Sequence, residues 1–276
     1  MFISKMPEIC EVSHITDQLW KLCMSKECLV DIHILGGRYS RHTLLDKDIL
    51  KENLPLRWTD VQSKGKFIWF VFENKWKDRF FLWNTLAMTG GWTLKRQKHS
   101  GVLLQFESFQ LYFNDTRCFG TLRISFDEES LDKKLNSIGK SWLSPYCGTR
   151  RTIGVSLEEF KESIKPSLNV CKFLMNQSIF SGIGNYLLSE ILHDSCISPF
   201  NSLSEISIEN LYKSICKIIL NSYELDGVSL RDYHGVDGEK GEYQHYLQVY
   251  GKSYTPEGKK IIKKIGPHGR SVYFTE

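Results

Sequence analysis

Phe180-Ser181-Gly182-Ile183-Gly184-Asn185-Tyr186-Leu187-Leu188-Ser189-Glu190 joins one apolar helical segment, Ser167 to Gln177, to a second that runs from Asn185 to Asp194. Two glycines let the backbone turn tightly and approach a bulky anion. Asn185 is a capping residue for a helix whose first N–H groups have no partner inside the helix. The stretch reads as a helix-turn-helix junction with a phosphate cradle. A Gly-x-Gly turn between helices is most often only a turn, so its meaning depends on what flanks it.

On its C-terminal side, Ser207 to Glu224 is a further helix, Asp226 to Gly241 is a Gly- and Asp-rich mobile loop, and Gln248 to Glu276 is two short strands around Gly-Pro turns. On its N-terminal side, Leu157 to Ser163 is helical, and Asp127 to Pro145 is a polar, irregular connection. Earlier still, the apolar residues change period. Cys28 to Leu35, Lys66 to Glu73, Arg79 to Asn84, Val102 to Phe106 and Gln110 to Phe113 are short β-branched and aromatic runs. Gly36-Gly37, Gly65, Gly90-Gly91 and Asn114-Asp115 punctuate them as turns, the pattern of an antiparallel sandwich. In front of these strands, Val12, Ile15, Leu19 and Leu22 recur at helical spacing behind Pro7-Glu8, a normal helix opening. The expected fold is α+β, with catalytic residues in an N-terminal domain over 7–126, a linker over 127–150, a helical domain over 151–235 and a hairpin finger over 236–276.

Composition excludes several classes. The chain has 276 residues, 41% hydrophobic and 25% charged, with 20 Gly and 7 Pro, which is a globular balance rather than a collagenous or disordered one. Its apolar runs, such as Phe67 to Phe72, fall far short of the roughly 20 residues a membrane helix needs. No signal peptide precedes Pro7, so an intracellular location, nuclear or cytoplasmic, is expected. The 8 Cys show no CxxC spacing and suit a reducing compartment. None lies beyond Cys216, so the tail must fold without thiolate metal ligands. The net charge of +4 permits a polyanionic partner, and the positive residues gather at the end: Lys252, Lys259, Lys260, Lys263, Lys264 and Arg270. A solvated face explains such a run as a rule, and a phosphate-contacting hairpin competes with it.

Met6-Pro7-Glu8-Ile9-Cys10-Glu11 carries the candidate chemistry. An N-terminal Pro7 would present a secondary amine, and α-amino groups titrate near ~7.7–8.0, so a fraction is nucleophilic at neutral pH. Such an amine attacks a sugar C1′ and forms an iminium. Glu8 and Glu11 place carboxyl groups beside it on one helix face. A Pro at the first helical position with acids in the first turn needs no chemistry to explain it, and taken alone that explanation is the stronger.

Read in order, Met6-Pro7-Glu8, Lys66 after Gly65, Thr85-Leu86-Ala87-Met88-Thr89-Gly90, Asn114-Asp115-Thr116-Arg117-Cys118-Phe119-Gly120, Phe173 to Glu190, and His268-Gly269-Arg270 resemble the formamidopyrimidine-DNA glycosylase / endonuclease VIII (Fpg/Nei) family over nearly the whole chain. The resemblance implies an N-terminal helix plus β-sandwich, then a helix-two-turns-helix domain ending in a β-hairpin finger. It implies Pro7 as nucleophile, Glu8 as general acid, Glu11 as supporting carboxylate, and Lys66 on a strand facing the lesion. Met88, Arg117 and Phe119 would fill the void left by an extruded nucleotide, and Asn185 and Arg270 would clamp phosphates around it. The cysteine-free tail resembles the zinc-free finger of Nei-like members, so neither a metal nor a cofactor is expected.

The implied partner is damaged DNA, double- or single-stranded, bound by a monomer with no membrane association. The implied activity is removal of oxidised bases with AP-lyase strand cleavage. Oxidised pyrimidines and ring-opened purines are favoured and 8-oxoguanine follows, because Met88, Arg117, Phe119 and the segment from Ser229 to Tyr233 through Gln248 to Gly251 resemble the purine-acting branch while the tail and Val170 to Phe173 resemble the Nei-like one. Three departures matter. Met1 to Lys5 precede the expected initiator Met6, and while residues precede it, Pro7 nitrogen is a tertiary amide. Cys10 replaces a usual Pro or Gly, and Cys118 replaces a second Arg. The competing expectation is a non-catalytic DNA-binding paralogue with Pro7 blocked by the extension; an RNA-binding protein is a third.

Overall fold

The computed structural model describes residues 6–228, 235–237 and 241–275. The expectation for Ser229 to Tyr233, and most of the loop expected over Asp226 to Gly241, lie outside the described residues, as do Met1 to Lys5.

The chain starts with helix α1 (Ile9–Cys23). Glu11 reaches back to accept the Glu8 N–H at 2.8 Å, satisfying one donor that the helix start leaves open. Eight strands follow: β1 (Cys28–Ile34), β2 (Leu56–Lys64), β3 (Phe67–Glu73), β4 (Arg79–Thr85), β5 (Gly90–Thr93), β6 (Ser100–Phe106), β7 (Gln110–Asp115) and β8 (Thr121–Ser125), with the short helix α2 (Lys47–Glu52) between β1 and β2. They form one hydrogen-bonded antiparallel sheet in the order β5-β7-β6-β1-β2-β3-β4-β8. The sheet folds over on itself. Trp92 on β5 lies 5.1 Å from the Phe70 ring on β3 and donates from Nε1 to Asn84 Oδ1 on β4 at 3.0 Å. Trp58 on β2 meets Phe106 on β6 at 5.1 Å. These rings fill the space between the layers, which is the sandwich the periodicity predicts.

Helix α3 (Glu128–Asn136) follows, where an irregular polar connection was expected. Asp127 caps it by accepting from Glu129 and Ser130 N–H. Leu131 and Leu135 then settle on the outer face of the sheet against Phe67, Val71, Phe81 and Trp83. Two apolar residues four apart in a charged segment suffice to dock this face.

The second lobe holds α4 (Leu157–Glu162), α5 (Val170–Leu174), α6 (Asn185–Asp194) and α7 (Ile208–Glu224), with a parallel bridge between β9 (Lys140–Ser141) and β10 (Phe180–Ser181). The helix expected over Ser167 to Gln177 is shorter, because Asn169 accepts from the Cys171 and Lys172 N–H groups and so starts it late. The chain ends in a hairpin of β11 (Ile262–Ile265) and β12 (Ser271–Phe274). Val272 and Tyr273 are buried in the helical core with Phe160, Phe173, Tyr186 and Leu187, so packing seats the hairpin. All eight cysteines are free thiols. Among the described residues no helix is long and apolar enough to cross a membrane.

α1 belongs to both lobes. Ile9 and Cys10 lie in the helical core, whereas Val12, Ile15, Leu19 and Cys23 lie in the sandwich core. A buried ion pair closes the same seam: Arg151 Nε donates to Asp17 Oδ1 at 2.8 Å, its Nη1 to Ser144 C=O at 2.9 Å and its Nη2 to Ser63 Oγ at 3.2 Å. Tyr223 on α7 donates to the other Asp17 oxygen at 2.6 Å. With every partner satisfied, the charges resist being pulled apart.

Candidate functional site

The Gly182–Gly184 turn brings the start of α1 against the start of α6. Gly182 has φ +120°, and a Cβ there would lie 2.6 Å from Ile9. A Cβ on Gly184 would lie 2.4 Å from Glu8 Cδ and 2.6 Å from Lys66 Nζ. The glycines serve a close approach, as expected, but the anion they admit is internal. Glu8, only 3% exposed, accepts from the Gly184 N–H at 2.5 Å, Tyr186 N–H at 2.8 Å and Leu187 N–H at 3.4 Å. The cradle expected to hold a phosphate therefore holds a carboxylate. The helix N-terminus favours its negative form. Burial outweighs that and the nearby Lys66, pushing the Glu8 carboxyl up to about 7. It is thus poised to carry or release a proton near neutrality.

Glu11 is also buried, and its oxygens accept from Glu8 N–H, from the Tyr186 hydroxyl at 2.9 Å and from Val228 N–H at 2.7 Å. Burial raises its pKa and these donors oppose the rise. Gly227, at φ +74°, has no room for a side chain, since a Cβ would lie 2.4 Å from Glu11 Oε1. Lys66, at the head of β3, donates from Nζ to Ile183 C=O at 3.1 Å, and burial lowers its pKa against the pull of Glu8. Pro7 is buried at the same junction. A cavity of about 290 Å³ opens there, lined by Met6, Lys66, Phe67, Thr85, Gln177 and Arg270 among others.

Asn185 does not cap α6, because Gly184 occupies the cap position and Glu8 satisfies the free N–H groups. Its amide turns instead to the finger, donating to Ser271 C=O at 2.6 Å. Arg270 is exposed in the β11–β12 turn, and its charge is one of those that lower Lys66. Pro7, Glu8, Glu11, Lys66, Asn185 and Arg270 are thus brought together from four separate stretches of sequence.

Met88, Arg117 and Phe119 form a second group on two adjoining connections, 86–89 and 116–120. Phe119 is 52% exposed, and the Arg117 guanidinium lies 5.0 Å over its ring; Met88 is half-buried. Asp115 ties the connections together, accepting from the Thr89 hydroxyl, from Arg117 N–H at 3.2 Å and from Gly120 N–H at 2.6 Å. Ala87 and Cys118 both take positive φ, 52° and 57°, where L residues are strained. Thr85, on the cavity wall, immediately precedes the first connection.

Sequence reasoning missed three residues that hold this arrangement. Asp115 was read as a turn residue. Glu190, 1% exposed, accepts from Gln248, Val249 and Tyr250 N–H at 2.7, 3.0 and 2.7 Å and so fastens the finger's base to α6. An acid inside Leu187-Leu188-Ser189-Glu190-Ile191-Leu192 is the signal that would have found it. His268 touches Asn185 from the finger turn.

These features define a two-lobed protein in which the carboxylates at the start of the first helix and a lysine from the head of β3 meet, buried, in the seam between a β-sandwich and a helical lobe with a cationic hairpin. Residues 6–122 match the model of the formamidopyrimidine-DNA glycosylase N-terminal domain. The formamidopyrimidine-DNA glycosylase of Desulfitobacterium hafniense is 32% identical over 231 residues, covering 79% of this chain and 80% of its own. That of Lactococcus lactis subsp. lactis is 31% identical over 285 residues, covering 98% and 97%. Among solved structures, a Lactococcus lactis FPG variant in complex with Fapy-dG-containing DNA is similar at a TM-score of 0.79, with 27% identity over 98% of each chain. The chain belongs to the formamidopyrimidine-DNA glycosylase (Fpg/Nei) family.

Proposed function

We propose that this protein is a base-excision-repair DNA glycosylase with AP-lyase activity that removes oxidised bases from DNA through a Pro7 Schiff base. The observation that carries the reading is the joining of Glu8, Glu11 and Lys66 around Pro7, at the edge of a cavity that Arg270 also lines.

With Pro7 as the first residue of the working protein, its nitrogen lone pair attacks C1′ of the damaged nucleotide. The C1′–base bond breaks, and the base leaves with the bonding electrons and with the proton that the attacking Pro7 nitrogen gives up. Protonated Glu8 gives its proton to the ring oxygen as the sugar opens to an iminium, a role suited to a carboxyl that titrates near 7. Loss of a C2′ proton expels the 3′ phosphate, and a second elimination removes the 5′ one. Water then releases Pro7. Glu11 holds the Glu8 backbone and Tyr186 in place. Lys66 and Arg270 supply positive charge toward the DNA backbone, Asn185 supports the finger, and Met88, Arg117 and Phe119 occupy the vacated base stack. The finger is held by strand pairing and by the burial of Val272 and Tyr273. Oxidised pyrimidines and ring-opened purines are the first substrates, 8-oxoguanine a further one. Lactococcus lactis relatives solved with Fapy-dG-containing and oxidised-pyrimidine-containing DNA support that range.

One observation favours a second reading. Met6 lines the cavity beside Lys66 and acylates Pro7 nitrogen as long as it is present. A chain that keeps residues 1–6 would bind damaged DNA without forming an imine. Borohydride trapping on a lesion-containing duplex separates the two, run in parallel on full-length protein and on protein whose mass verifies Pro7 as first residue. A covalent adduct from the second preparation is expected; none from either would overturn the enzymatic proposal.

A further inference from the structure

His268 sits in the finger turn between Gly266 and Arg270, and its ring fits there because Gly266 has no side chain. A Cβ on Gly266 would lie 2.9 Å from both Cε1 and Nδ1 of the ring. Its Nε2 lies 3.1 Å from Asn185 Oδ1. The orientation of the Asn185 amide is fixed independently, since its nitrogen must face Ser271 C=O, 2.6 Å away. Oδ1 can only accept, so Nε2 must carry the ring proton. The other nitrogen, Nδ1, is buried with no hydrogen-bond partner among the described residues. Asn185 thereby grips the turn on both sides of Arg270: His268 before it and Ser271 after it. Within the turn, Gly266 N–H donates to Arg270 C=O at 2.8 Å and Gly269 N–H to Gly266 C=O at 2.9 Å, so displacing His268 displaces the arginine.

We propose that His268, in its neutral Nε2–H form, is a positioning residue that locks the finger arginine to α6, so that acidification unlocks the finger and weakens DNA binding. Protonation would place a second N–H where no acceptor stands and a positive charge beside Arg270. Burial first, and Arg270 second, already disfavour the charged ring. The neighbouring groups do not relieve this. Asn185 is uncharged, the Tyr250 phenol behind it is pushed up to about 12 by burial and stays neutral, and Lys66, whose pKa burial lowers, offers no negative charge. Glu8, on the far side of the α6 start, is engaged by the backbone of residues 184–187. The inference rests on the reading of Arg270 as a DNA contact, but the lock itself has a test that needs no DNA.

Heteronuclear NMR of the imidazole in the free protein is expected to show the Nε2–H tautomer, a pKa below that of an ordinary histidine, and an Asn185 side-chain amide that shifts with the same midpoint. An Nδ1–H tautomer, or an Asn185 amide indifferent to the titration, overturns the lock. Binding to a duplex with a tetrahydrofuran abasic-site analogue is then measured between about pH 7.5 and about pH 5.5. Wild-type affinity should fall about fivefold more than that of H268Q, whose amide donates the same hydrogen bond without titrating. H268A should bind about fivefold more weakly throughout, and H268Q should recover most of that loss. Equal pH profiles for wild type and H268Q, or affinity that rises on acidification, refute the coupling. Absence of any duplex binding by the wild type would instead refute the DNA-repair reading, and the tautomer would still decide the lock.

Discussion

Glu190→Gln is the most informative single substitution, because it keeps shape and volume and changes only what the side chain can accept. In the native protein one Glu190 oxygen takes the Val249 and Tyr250 N–H groups and the other takes Gln248 N–H. An amide must turn its NH₂ toward one side or the other. In the better orientation it faces Gln248, losing one hydrogen bond to a charged acceptor and leaving a donor opposite a donor. Bonds to charged groups contribute about 1.5–3 kcal/mol, and the two remaining bonds weaken as the acceptor becomes neutral. The expected cost is about 2–4 kcal/mol in urea unfolding, large for a substitution of one atom. The lost tie lies at the base of the finger, so affinity for a lesion duplex should fall about tenfold along with the stability, as the Arg270 turn loses its mount. A variant within about 0.5 kcal/mol of wild type, binding DNA equally well, would refute the idea that this carboxylate anchors the finger.

Other outcomes follow from the same geometry. Arg270→Ala should weaken duplex binding and reduce its salt dependence by about one counterion; an unchanged slope in a salt titration counts against it as a phosphate contact. Arg151→Met should cost about 3–5 kcal/mol in denaturant unfolding, because it strands the Asp17 carboxylate at the lobe seam with Tyr223 as its remaining side-chain donor. Glu8 has its folded pKa raised to about 7, so its acid form is complete well below that pH and lost above it. Imine trapping by protein beginning at Pro7 should fall on the alkaline side of about pH 7, and in Glu8→Gln that limb should vanish from the rate profile along with most of the activity.

The fold was legible wherever period and burial coincide. α1, β3, β4, α6, α7 and the terminal hairpin follow apolar spacing closely. β2 escaped because a bulge between Trp58 and Asp60 breaks its alternation, and β8 because it is short and carries an exposed Arg123 in its middle. β5 escaped because Gly90 and Gly91, ordinary turn residues, enter a strand where Gly90 passes too close to Leu86 C=O for any side chain. The site was legible through its order along the chain rather than through any one residue: Pro7 and Glu8 alone read as a helix start. What holds the site was illegible for a physical reason. Asp115 works across two connections, and Glu190 bonds to backbone 58–60 residues away. Backbone acceptor demand leaves no trace in side-chain spacing.

The sharing of α1 between two cores sets an order of assembly. The first helix leaves the ribosome ahead of the helical lobe, yet Glu8 finds its donors at residues 184–187 and Glu11 one of its donors at Val228. Synthesis must pass residue 228 before these two acids acquire those donors. A fragment cut after the sandwich would expose Ile9 and Cys10, strip Glu8 of its backbone donors, and leave Glu11 with the Glu8 N–H but without Tyr186 and Val228. Such a fragment should be inert toward sugars, so a half-made chain carries no misplaced reactivity.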